Sequence, residues 1–474
     1  MTLHYYNEPR LAFAEGEHIC PRRGIATYGV FDRHSPGRHS AVNIGTVGTS
    51  SDVDKLSRWL ERCSLPIEGP QETPQPNLFP PFPGVNRTSA FFSDFVLNSA
   101  NTRELMNKDV KAIQELKSRE ERINKAVDLY FEDVRFLAQN RHVDVVVCVV
   151  PEDLHRSIAS AHPGEPVDEE LEDESSEYFE TNFRRALKAR SMHLGRPLQL
   201  MRSITLDPSA PQQQDEATKA WNFCTAMYYK SGPKIPWKLT KDPNAGTSCG
   251  IGVAFYRSRD YEALGTSLAQ VFDDLGNGLI LRGTPVDLSR DDRRPHLSVE
   301  QSYDLILAAL RQYRIALRTF PARVVVHKSS HFSDEEIEGC TVAASESGID
   351  WVDFVSVMDS SLNLYRGGNY PPFRGTAWEL DSLRAVLYTR GSVWYYGTYP
   401  GMYVPTPIEL DMQKTESSPS AIVKEVLRFT KLNWNNTQFD GKYPVTLGCA
   451  RKVGQIMKYL DDDEVPQIRY AYYM

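Results

Sequence analysis

The chain has 474 residues, 41% of them hydrophobic and 24% charged, and a formal net charge of −8. This length exceeds one ordinary domain and predicts two, each of roughly 230 residues. No stretch has the roughly 20 consecutive apolar residues of a transmembrane helix, and the first residues lack a secretory leader pattern, so we expect no membrane association. Seven single cysteines without metal-ligand spacing indicate reduced core residues of a cytoplasmic protein.

The negative charge does not favour a nucleic-acid-binding protein, because phosphate contacts need clustered lysine and arginine. Much of that charge lies in one acidic run, residues 168–180, which we interpret as a solvated segment. The net charge of a protein bears on its solubility and does not show the local charge of a nucleic-acid-binding groove. Charge therefore neither supports nor excludes nucleic-acid binding.

The first half of the chain alternates predicted strands and helices. The Val-rich run 142–150 predicts a parallel strand buried on both faces. The Pro-rich residues 65–84 predict a loop. Strands are also predicted at 41–47 and 198–204, and helices at 50–63 with Ser50 or Ser51 as cap, at 102–140 as one or two amphipathic helices with a solvated face, at 183–193 and at 215–230. This order is that of a Rossmann-like domain.

A junction follows at residues 229–256, YKSGPKIPWKLTKDPNAGTSCGIGVAFY. Its glycine and prolines cannot continue a helix, so the preceding helix must end near Lys230, and residues 249–256 predict the first strand of a new sheet. After it we predict strands at 278–282, 323–327, 351–357, 385–389 and 392–397, and helices at 298–320 (capped by Ser298 and ended by Pro321), 334–347, 418–432 and 447–460. This order matches a ribonuclease H-like fold.

The junction resembles the one between the MID and PIWI domains of Argonautes, where a lysine, a Gly/Pro turn and Ile-Pro-Trp lead into the first PIWI strand. Residues 21–31, PRRGIATYGVF, with Val30 in place of the usual proline, and PPFPG at 80–84 also resemble this family. The resemblance covers nearly the whole chain. It implies an α/β fold with a Rossmann-like MID domain over residues 1–240 and a ribonuclease H-like PIWI domain over 241–474, as in short prokaryotic Argonautes.

The resemblance also implies a pocket for the 5′-phosphate of a guide. In MID domains an aromatic residue stands four positions before a lysine, a glutamine follows about eleven positions later, and another lysine precedes the turn. The matching residues are Lys188, Gln199 and Lys230, with Arg184 at the aromatic position; Phe183 or Arg185 takes that place if the register slips by one. In Argonautes of this pattern Mg²⁺ lies between the phosphate and the terminal carboxylate, which makes Met474 the metal-site candidate.

The nuclease centre of the family is altered in this sequence. Cleavage uses two metal ions held by carboxylates. Gly252, Ser329 and Arg451 stand where nucleolytic members have an Asp, an Asp, and an Asp or His. Nucleolytic members also have a glutamate on a loop, which has no clear match in this sequence. Glu262 and Glu300 are candidates for that position, and both have the pattern of ordinary surface residues. We therefore expect no cleavage, and we expect Lys328, Arg451 and Lys452 to contact the guide or target backbone.

The resemblance implies a recognition subunit of a prokaryotic immune system. Such a subunit binds a short guide RNA, pairs it with complementary single-stranded target DNA from a plasmid or phage, and acts in a heterodimer with an APAZ-containing effector. That effector, sirtuin-like or TIR, hydrolyses NAD⁺, and the infected cell stops growing. We favour the sirtuin-like type.

Two other functions remain open from the residues. One is a guide-directed nuclease that uses other carboxylates, such as Asp273 and Asp274 or Asp353. The pair Asp273 and Asp274 is more simply a turn between a helix and a strand. The other is a scaffolding module that binds no nucleic acid.

Overall fold

Each half of the chain is built around its own β-sheet. The computed structural model describes residues 1–36, 38–159, 181–210, 214–241, 246–257, 264–273, 278–286, 295–401, 403–460 and 464–474. The acidic run predicted as a solvated segment lies outside these ranges. Within them, no helix combines the length and the hydropathy needed to cross a bilayer. All seven cysteines are buried and free, as predicted.

The first half alternates strands and helices, as predicted. In chain order its elements are β1 (Thr2–Tyr5), β2 (Leu11–Ala12), β3 (Glu17–His18), α1 (Pro21–Tyr28), β4 (Ala41–Gly48), α2 (Ser50–Cys63), β5 (Asp94–Glu104), α3 (Asn107–Gln114), α4 (Arg119–Asn140), β6 (Val145–Val150), α5 (Glu152–Ala159), α6 (Thr181–Ser191), β7 (Leu198–Arg202), α7 (Glu216–Lys230) and β8 (Lys238–Leu239).

Four of these strands form a parallel sheet in the order β5-β4-β6-β7. Every residue of β6 is buried. Its alternate side chains enter two different apolar cores, so both faces of the strand are covered. This confirms the buried parallel strand predicted from the Val run.

The first half differs from the prediction in several details, and α1, α5 and the short strands β1, β2, β3 and β8 were not predicted. Thr49, not Ser50 or Ser51, caps α2: its side chain accepts from the backbone N–H of Asp52, and the Asp52 carboxylate accepts from the backbone of Thr49 in return. The long strand β5 was not predicted, because its residues DFVLNSANTRE do not alternate cleanly between apolar and polar. The helices α3 and α4 that follow it confirm the predicted amphipathic pair.

The second half contains most of the large sheet and the remaining helices. In chain order its elements are β9 (Ser248–Arg257), β10 (Leu264–Asp273), β11 (Gly278–Val286), α8 (Val299–Leu317), β12 (Arg323–Lys328), α9 (Asp334–Glu346), β13 (Trp351–Asp359), β14 (Thr376–Glu379), β15 (Arg384–Leu387), β16 (Ile408–Lys414), α10 (Pro419–Phe429) and α11 (Val445–Met457).

Nine strands form this sheet in the order β1-β14-β15-β16-β13-β12-β9-β10-β11. The central strand β12 runs parallel to both of its neighbours, β13 and β9. The outer pairs are antiparallel. The carboxyl ends of β12 and β13 therefore meet at one edge of the sheet, where loops gather.

The second half also departs from the prediction, and its strands β14 and β16 were not predicted. The segment before Asp273 is strand β10, not a helix, and pairs with β9 and β11. The predicted strand at 392–397 is wrong: residues 394–396 form a short 3-10 helix, which Gly397 ends in the left-handed conformation at φ 66°.

The N-terminal strand β1 lies at the edge of the large sheet and pairs with β14. A division of the chain after residue 240 therefore does not account for its first residues. Glu8 follows β1 and holds it in place through buried ion pairs with Arg374 at 3.0 Å and Lys431 at 2.9 Å.

Aromatic residues join the two halves at the predicted junction. Helix α7 ends at Lys230, as predicted. The indole N–H of Trp237 donates to the main-chain oxygen of Lys431, and that of Trp434 donates to the main-chain oxygen of Trp237. Trp434 also stacks on Tyr229 at 5.0 Å between ring centroids. The two sheets thus share one core.

Candidate functional site

A lysine at the end of α7 lies in buried, positively charged surroundings, which we call the pocket. Lys230 is 1% exposed, and its ammonium donates to Gln199 Oε1 at 2.6 Å and to the main-chain oxygen of Leu198 at 3.2 Å. Burial, with the nearby charges of Arg184 and Lys452, lowers the pKa of Lys230 well below its ordinary value. A buried ammonium close to two further cations makes this pocket suited to an anion.

Helix α6 supplies the next two residues of this pocket. Arg184 and Lys188 are four positions apart and therefore lie on the same face of the helix. Lys188 is 3% exposed, and its ammonium donates to the main-chain oxygen of Met474, which is itself buried. Arg184 is half-buried, and its charge acts on Lys230. The structure thus places the predicted Arg184, Lys188, Gln199, Lys230 and Met474 around one region.

The register alternatives at this helix are not supported. The side chain of Phe183 is fully buried in the core of the first half and lies edge-on to the ring of Tyr130 at 5.5 Å. Arg185 is buried on a different side of α6 from Arg184, because adjacent residues of a helix are about 100° apart. The position that faces the pocket is Arg184.

Lys452 brings the second half into the same pocket. It lies on α11, and its charge is among the causes that depress the pKa of Lys230. The sequence predicted Lys452 as a backbone contact and did not place it beside Lys230. Only the packing of α11 against α6 brings them together.

The first altered nuclease position is sterically closed. A Cβ atom at Gly252 would lie 2.2 Å from the main-chain oxygen of Thr446 and 2.9 Å from the nitrogen of Leu447, at the start of α11. His327 pairs with Gly252 across the sheet, and its Nδ1 lies 2.8 Å from the hydroxyl of Thr446. Burial, with the charge of Arg323, lowers the pKa of His327 to about 3, so this imidazole is neutral.

The other two altered positions lie at the same edge of the sheet. Ser329 follows β12 directly and is half-buried. Arg451 lies on α11 with its guanidinium 4.1 Å above the ring of Tyr443. The hydroxyl of Tyr443 donates to Asp359 at the end of β13, at 2.6 Å. The end of β13 thus carries the Asp359 carboxylate, with the guanidinium of Arg451 on the other side of the Tyr443 ring system.

Lys328 is not placed to contact nucleic acid, contrary to the prediction. Its side chain is buried, and its ammonium lies 2.6 Å from both carboxylate oxygens of Glu336 on α9. It also donates to the main-chain oxygen of His331 at 3.2 Å. Lys328 therefore fixes the loop that follows β12.

Asp353 is the one carboxylate of the rival nuclease hypothesis whose side chain the structure describes, and it is engaged with protein groups. Asp353 is fully buried and accepts hydrogen bonds from the hydroxyls of Thr415 and Ser417 at 2.7 and 2.6 Å, and it pairs with Arg323. Although burial raises its pKa, these partners lower it overall. Of the remaining candidates, Glu300 is exposed in the first turn of α8, Asp273 ends β10 with its side chain outside the description, and Glu262 and Asp274 lie outside the described residues.

Across the described part of the chain, no group of three or more His, Cys, Asp or Glu side chains is arranged to hold a metal ion. The pocket around Lys230 has two candidate oxygen ligands, the main-chain oxygen of Met474 and the side-chain oxygen of Gln199. These residues do not complete a Mg²⁺ site by themselves, because Mg²⁺ takes six oxygen ligands.

The fold is that of Argonaute and Piwi proteins, a mixed α/β MID–PIWI arrangement. The Clostridium butyricum Argonaute bound to a guide DNA and a target DNA matches with a TM-score of 0.66 and 15% identity, over 97% of this chain and 53% of that one. The A. aeolicus Argonaute matches with a TM-score of 0.60 and 12% identity, over 98% and 54%. The Marinitoga piezophila Argonaute in complex with a 5′-OH guide RNA matches with a TM-score of 0.58 and 13% identity, over 100% of this chain and 59% of that one.

These matches describe the fold alone, because the identities are low. This chain spans a little over half the length of the Argonautes it matches. Neither the protein-family models nor the curated proteins yield a match to the sequence.

Proposed function

We propose that the chain binds a short guide RNA by its 5′-phosphate and pairs it with complementary single-stranded target DNA. The observation that carries this proposal is the pocket of Arg184, Lys188, Gln199 and Lys230, in which a buried ammonium lies near two other cations. A phosphate dianion would offset the cost of burying these charges. Two similar structures hold guide nucleic acids, a guide DNA in one and a 5′-OH guide RNA in the other, and this supports guide binding.

Each pocket residue has a separate part in this proposal. Lys188 and Lys230 donate to the phosphate oxygens, and Arg184 contacts them from the more open side of the pocket. Gln199 holds the Lys230 ammonium in place through its side-chain oxygen, 2.6 Å away. Specificity for the target then lies in base pairing, while the protein contacts backbone and shape.

A Mg²⁺ ion remains part of the proposal only together with the guide. The main-chain oxygen of Met474 lies at the Lys188 ammonium and would supply one ligand, with the phosphate supplying others. When bound, the ion neutralises phosphate charge next to a cluster of main-chain and side-chain dipoles.

We further propose that the chain does not cleave the target. Gly252, Ser329 and Arg451 offer no carboxylate, and α11 occupies the space that a side chain at position 252 would need. Asp353, the described carboxylate of the rival nuclease hypothesis, is engaged with Arg323 and four main-chain or hydroxyl donors. A chain that binds without cleaving needs an effector elsewhere.

The family resemblance supplies the wider setting of this proposal. The effector is an APAZ-containing partner with a sirtuin-like or TIR domain, and target pairing releases its NAD⁺ hydrolysis in a cell invaded by a plasmid or phage. We assign the NAD⁺ hydrolysis to that partner and not to this chain. This part is tested by mixing the guide-loaded heterodimer with matched and mismatched target DNA and measuring NAD⁺ loss.

The guide pocket is tested by direct binding of two RNAs that differ only in a 5′-phosphate or 5′-hydroxyl. We expect the phosphate to strengthen binding at least tenfold, and we expect Lys188→Met and Lys230→Met each to remove most of that difference. A hydrogen bond to a charged group is worth about 1.5–3 kcal/mol, and 1.4 kcal/mol corresponds to tenfold. Lys414→Met, an exposed lysine at the end of β16, is the matched control.

Equal binding of the two RNAs by the wild-type protein, or phosphate preference retained in both variants, contradicts the pocket. No binding of either RNA or of the DNA counterparts favours the scaffolding alternative. Cleavage of a guide-matched target by the purified chain with Mn²⁺ contradicts the proposed lack of nuclease activity.

A further inference from the structure

Two loops at the carboxyl ends of β13 and β15 carry exposed tyrosines. We propose that Tyr365, Arg366, Tyr370 and Tyr403, the tyrosine surface, bind an unpaired, single-stranded segment of the target by stacking of its bases. The inference rests on the proposed function and adds to it a second contact region, outside the phosphate pocket.

The exposure of these rings is the first observation. Tyr365 is 92% exposed and Tyr403 is 71% exposed, while Tyr370 is 43% exposed. Val404, next to Tyr403, is 86% exposed. Single exposed apolar residues are common, but a group of large ones on neighbouring loops marks a surface that binds something.

The loops that carry these rings are anchored at their bases. The backbone N–H of Ser360 donates to the main-chain oxygen of Pro407 at 3.1 Å and joins the bases of the two loops. The backbone N–H of Leu364 donates to the hydroxyl of Tyr388 at 2.8 Å. The guanidinium of Arg366 lies 3.9 Å above the ring of Phe373. Anchoring reduces the entropy that binding would otherwise cost.

The position in the fold is the second observation. Ligands of open α/β sheets bind outside the carboxyl ends of parallel strands. The loop that carries Tyr365 begins at the carboxyl end of β13, and the loop after the parallel neighbour β12 lies beside it, with the hydroxyl of Ser356 donating to the main-chain oxygen of Ser330 at 2.9 Å. The tyrosine surface therefore borders the edge that carries Ser329.

The charges around the loop bases favour a nucleic acid over a protein partner. Arg366 is exposed within the surface. Arg451 lies over Tyr443, whose hydroxyl bonds to Asp359, the residue just before Ser360. The carboxylate of Asp359 is already paired with Lys442 at 2.9 Å. Basic groups next to stackable rings are the usual composition of a single-strand binding surface.

These cations also connect the tyrosine surface to the phosphate pocket. Arg451 and Lys452 are adjacent on α11. Arg451 contacts Tyr443, which bonds to the residue before Ser360, whereas the charge of Lys452 acts on Lys230. Helix α11 therefore carries one cation near each of the two regions, Lys452 towards the pocket and Arg451 towards the loop bases.

The test compares guide-loaded wild-type protein with Tyr365→Ala, Tyr403→Ala and the double variant. The probe is target DNA that is longer than the guide and carries 2-aminopurine in its unpaired flank. We expect each single substitution to weaken target binding several-fold and the double substitution at least tenfold, with quenching of the fluorescent base lost. Affinity for the 5′-phosphorylated guide should not change.

Trp351→Ala is the matched control. Trp351 is 42% exposed and begins β13, so it lies about 26 Å along that strand from Asp359. We expect this variant to bind the flanked target as the wild-type protein does. Equal thermal melting temperatures of all variants would show that the substitutions act on binding and not on folding.

Flanked-target binding by the double variant within twofold of wild type overturns the inference, whatever the guide pocket does. Loss of binding to the effector partner with unchanged target binding also overturns it and identifies a protein interface instead. If the wild-type chain takes up no guide, the proposed function fails separately. The same variants are then tested with unguided single-stranded DNA, where loss of binding in the double variant supports the tyrosine surface and unchanged binding overturns it.

Discussion

The closed position at Gly252 yields the sharpest stability prediction. A Cβ atom there would lie 2.2 Å from a main-chain oxygen at the start of α11, and ordinary contact begins near 3.4 Å. The sheet and the helix would therefore have to separate by about 1.2 Å to admit even an alanine. Main-chain atoms at a helix start cannot rotate away, so the whole helix has to shift.

Gly250, two residues earlier on the same face of β9, is the matched control. A Cβ there would meet the ring of Phe429 at 3.0 Å and a methyl group of Thr446 at 3.2 Å. Both are side-chain atoms that can move by a few tenths of an ångström. We expect Gly252→Ala to lower the free energy of unfolding by about 3 kcal/mol or more, and Gly250→Ala by about 1 kcal/mol.

Urea denaturation of the two variants measures this difference directly. Gly252→Asp, which restores the residue type of nucleolytic relatives, adds a buried carboxylate to the same clash and should be less stable than Gly252→Ala, without gaining Mn²⁺-dependent cleavage. The reasoning is refuted if Gly252→Ala is no less stable than Gly250→Ala, or if Gly252→Asp folds normally and cleaves.

Three further predictions concern buried titratable groups. Folding lowers the pKa of His327 from 6.5 to about 3, so the neutral ring contributes its full stability above pH 6.5, and the free energy of unfolding should fall by about 1.4 kcal/mol for each pH unit below that. Between pH 7 and pH 4.5, urea denaturation of His327→Asn should show a smaller loss of unfolding free energy than that of the wild type. An equal loss would contradict this assignment. The pKa of Lys230 is also lowered, so the guide-free protein should become more stable as the pH rises from that lowered value towards about 10.4. In Lys230→Met the melting temperature should depend less on pH, and the preference for a 5′-phosphate should be lost. Asp353→Asn leaves the buried Arg323 with one carboxylate partner and should cost about 3 kcal/mol in unfolding free energy without changing guide affinity; a small cost together with altered nuclease activity would favour the metal-site hypothesis instead.

Local signals predicted most of the helices and the buried strands. The Val run of β6 and the end of α7 at Lys230 followed from hydrophobic patterning and from the glycine and prolines after that helix. β5 was not predicted, and its partner β4 is distant in sequence. β10 was not predicted because its residues LGTSLAQVFD do not alternate cleanly between apolar and polar, although its partners β9 and β11 are its neighbours in sequence. A segment with weak alternation of apolar and polar residues does not show which strands it will pair with.

The same distinction, between local sequence signals and contacts made only in the folded protein, applies to the site residues. The family resemblance, matched to the positions of Arg184, Lys188 and Gln199 in two neighbouring elements, implied that they lie near Lys230. The burial of Lys328 was not predictable, because its partner Glu336 appears in the sequence as an ordinary first-turn residue of a helix. Neither was the clash at Gly252, since that depends on how closely α11 packs on β9.

The pairing of β1 with β14 has a consequence for how the chain is made. Tyr6, which follows β1, bonds to Glu379 on β14, and 373 positions separate the two. At typical synthesis rates of about 5–20 residues per second, the first strand waits on the order of tens of seconds on the ribosome before its partner exists. During that time its apolar residues Leu3 and Tyr5 have no sheet to join, so completion of the large sheet is a late, long-range step and the N-terminal strand is the part most open to mispairing while synthesis proceeds.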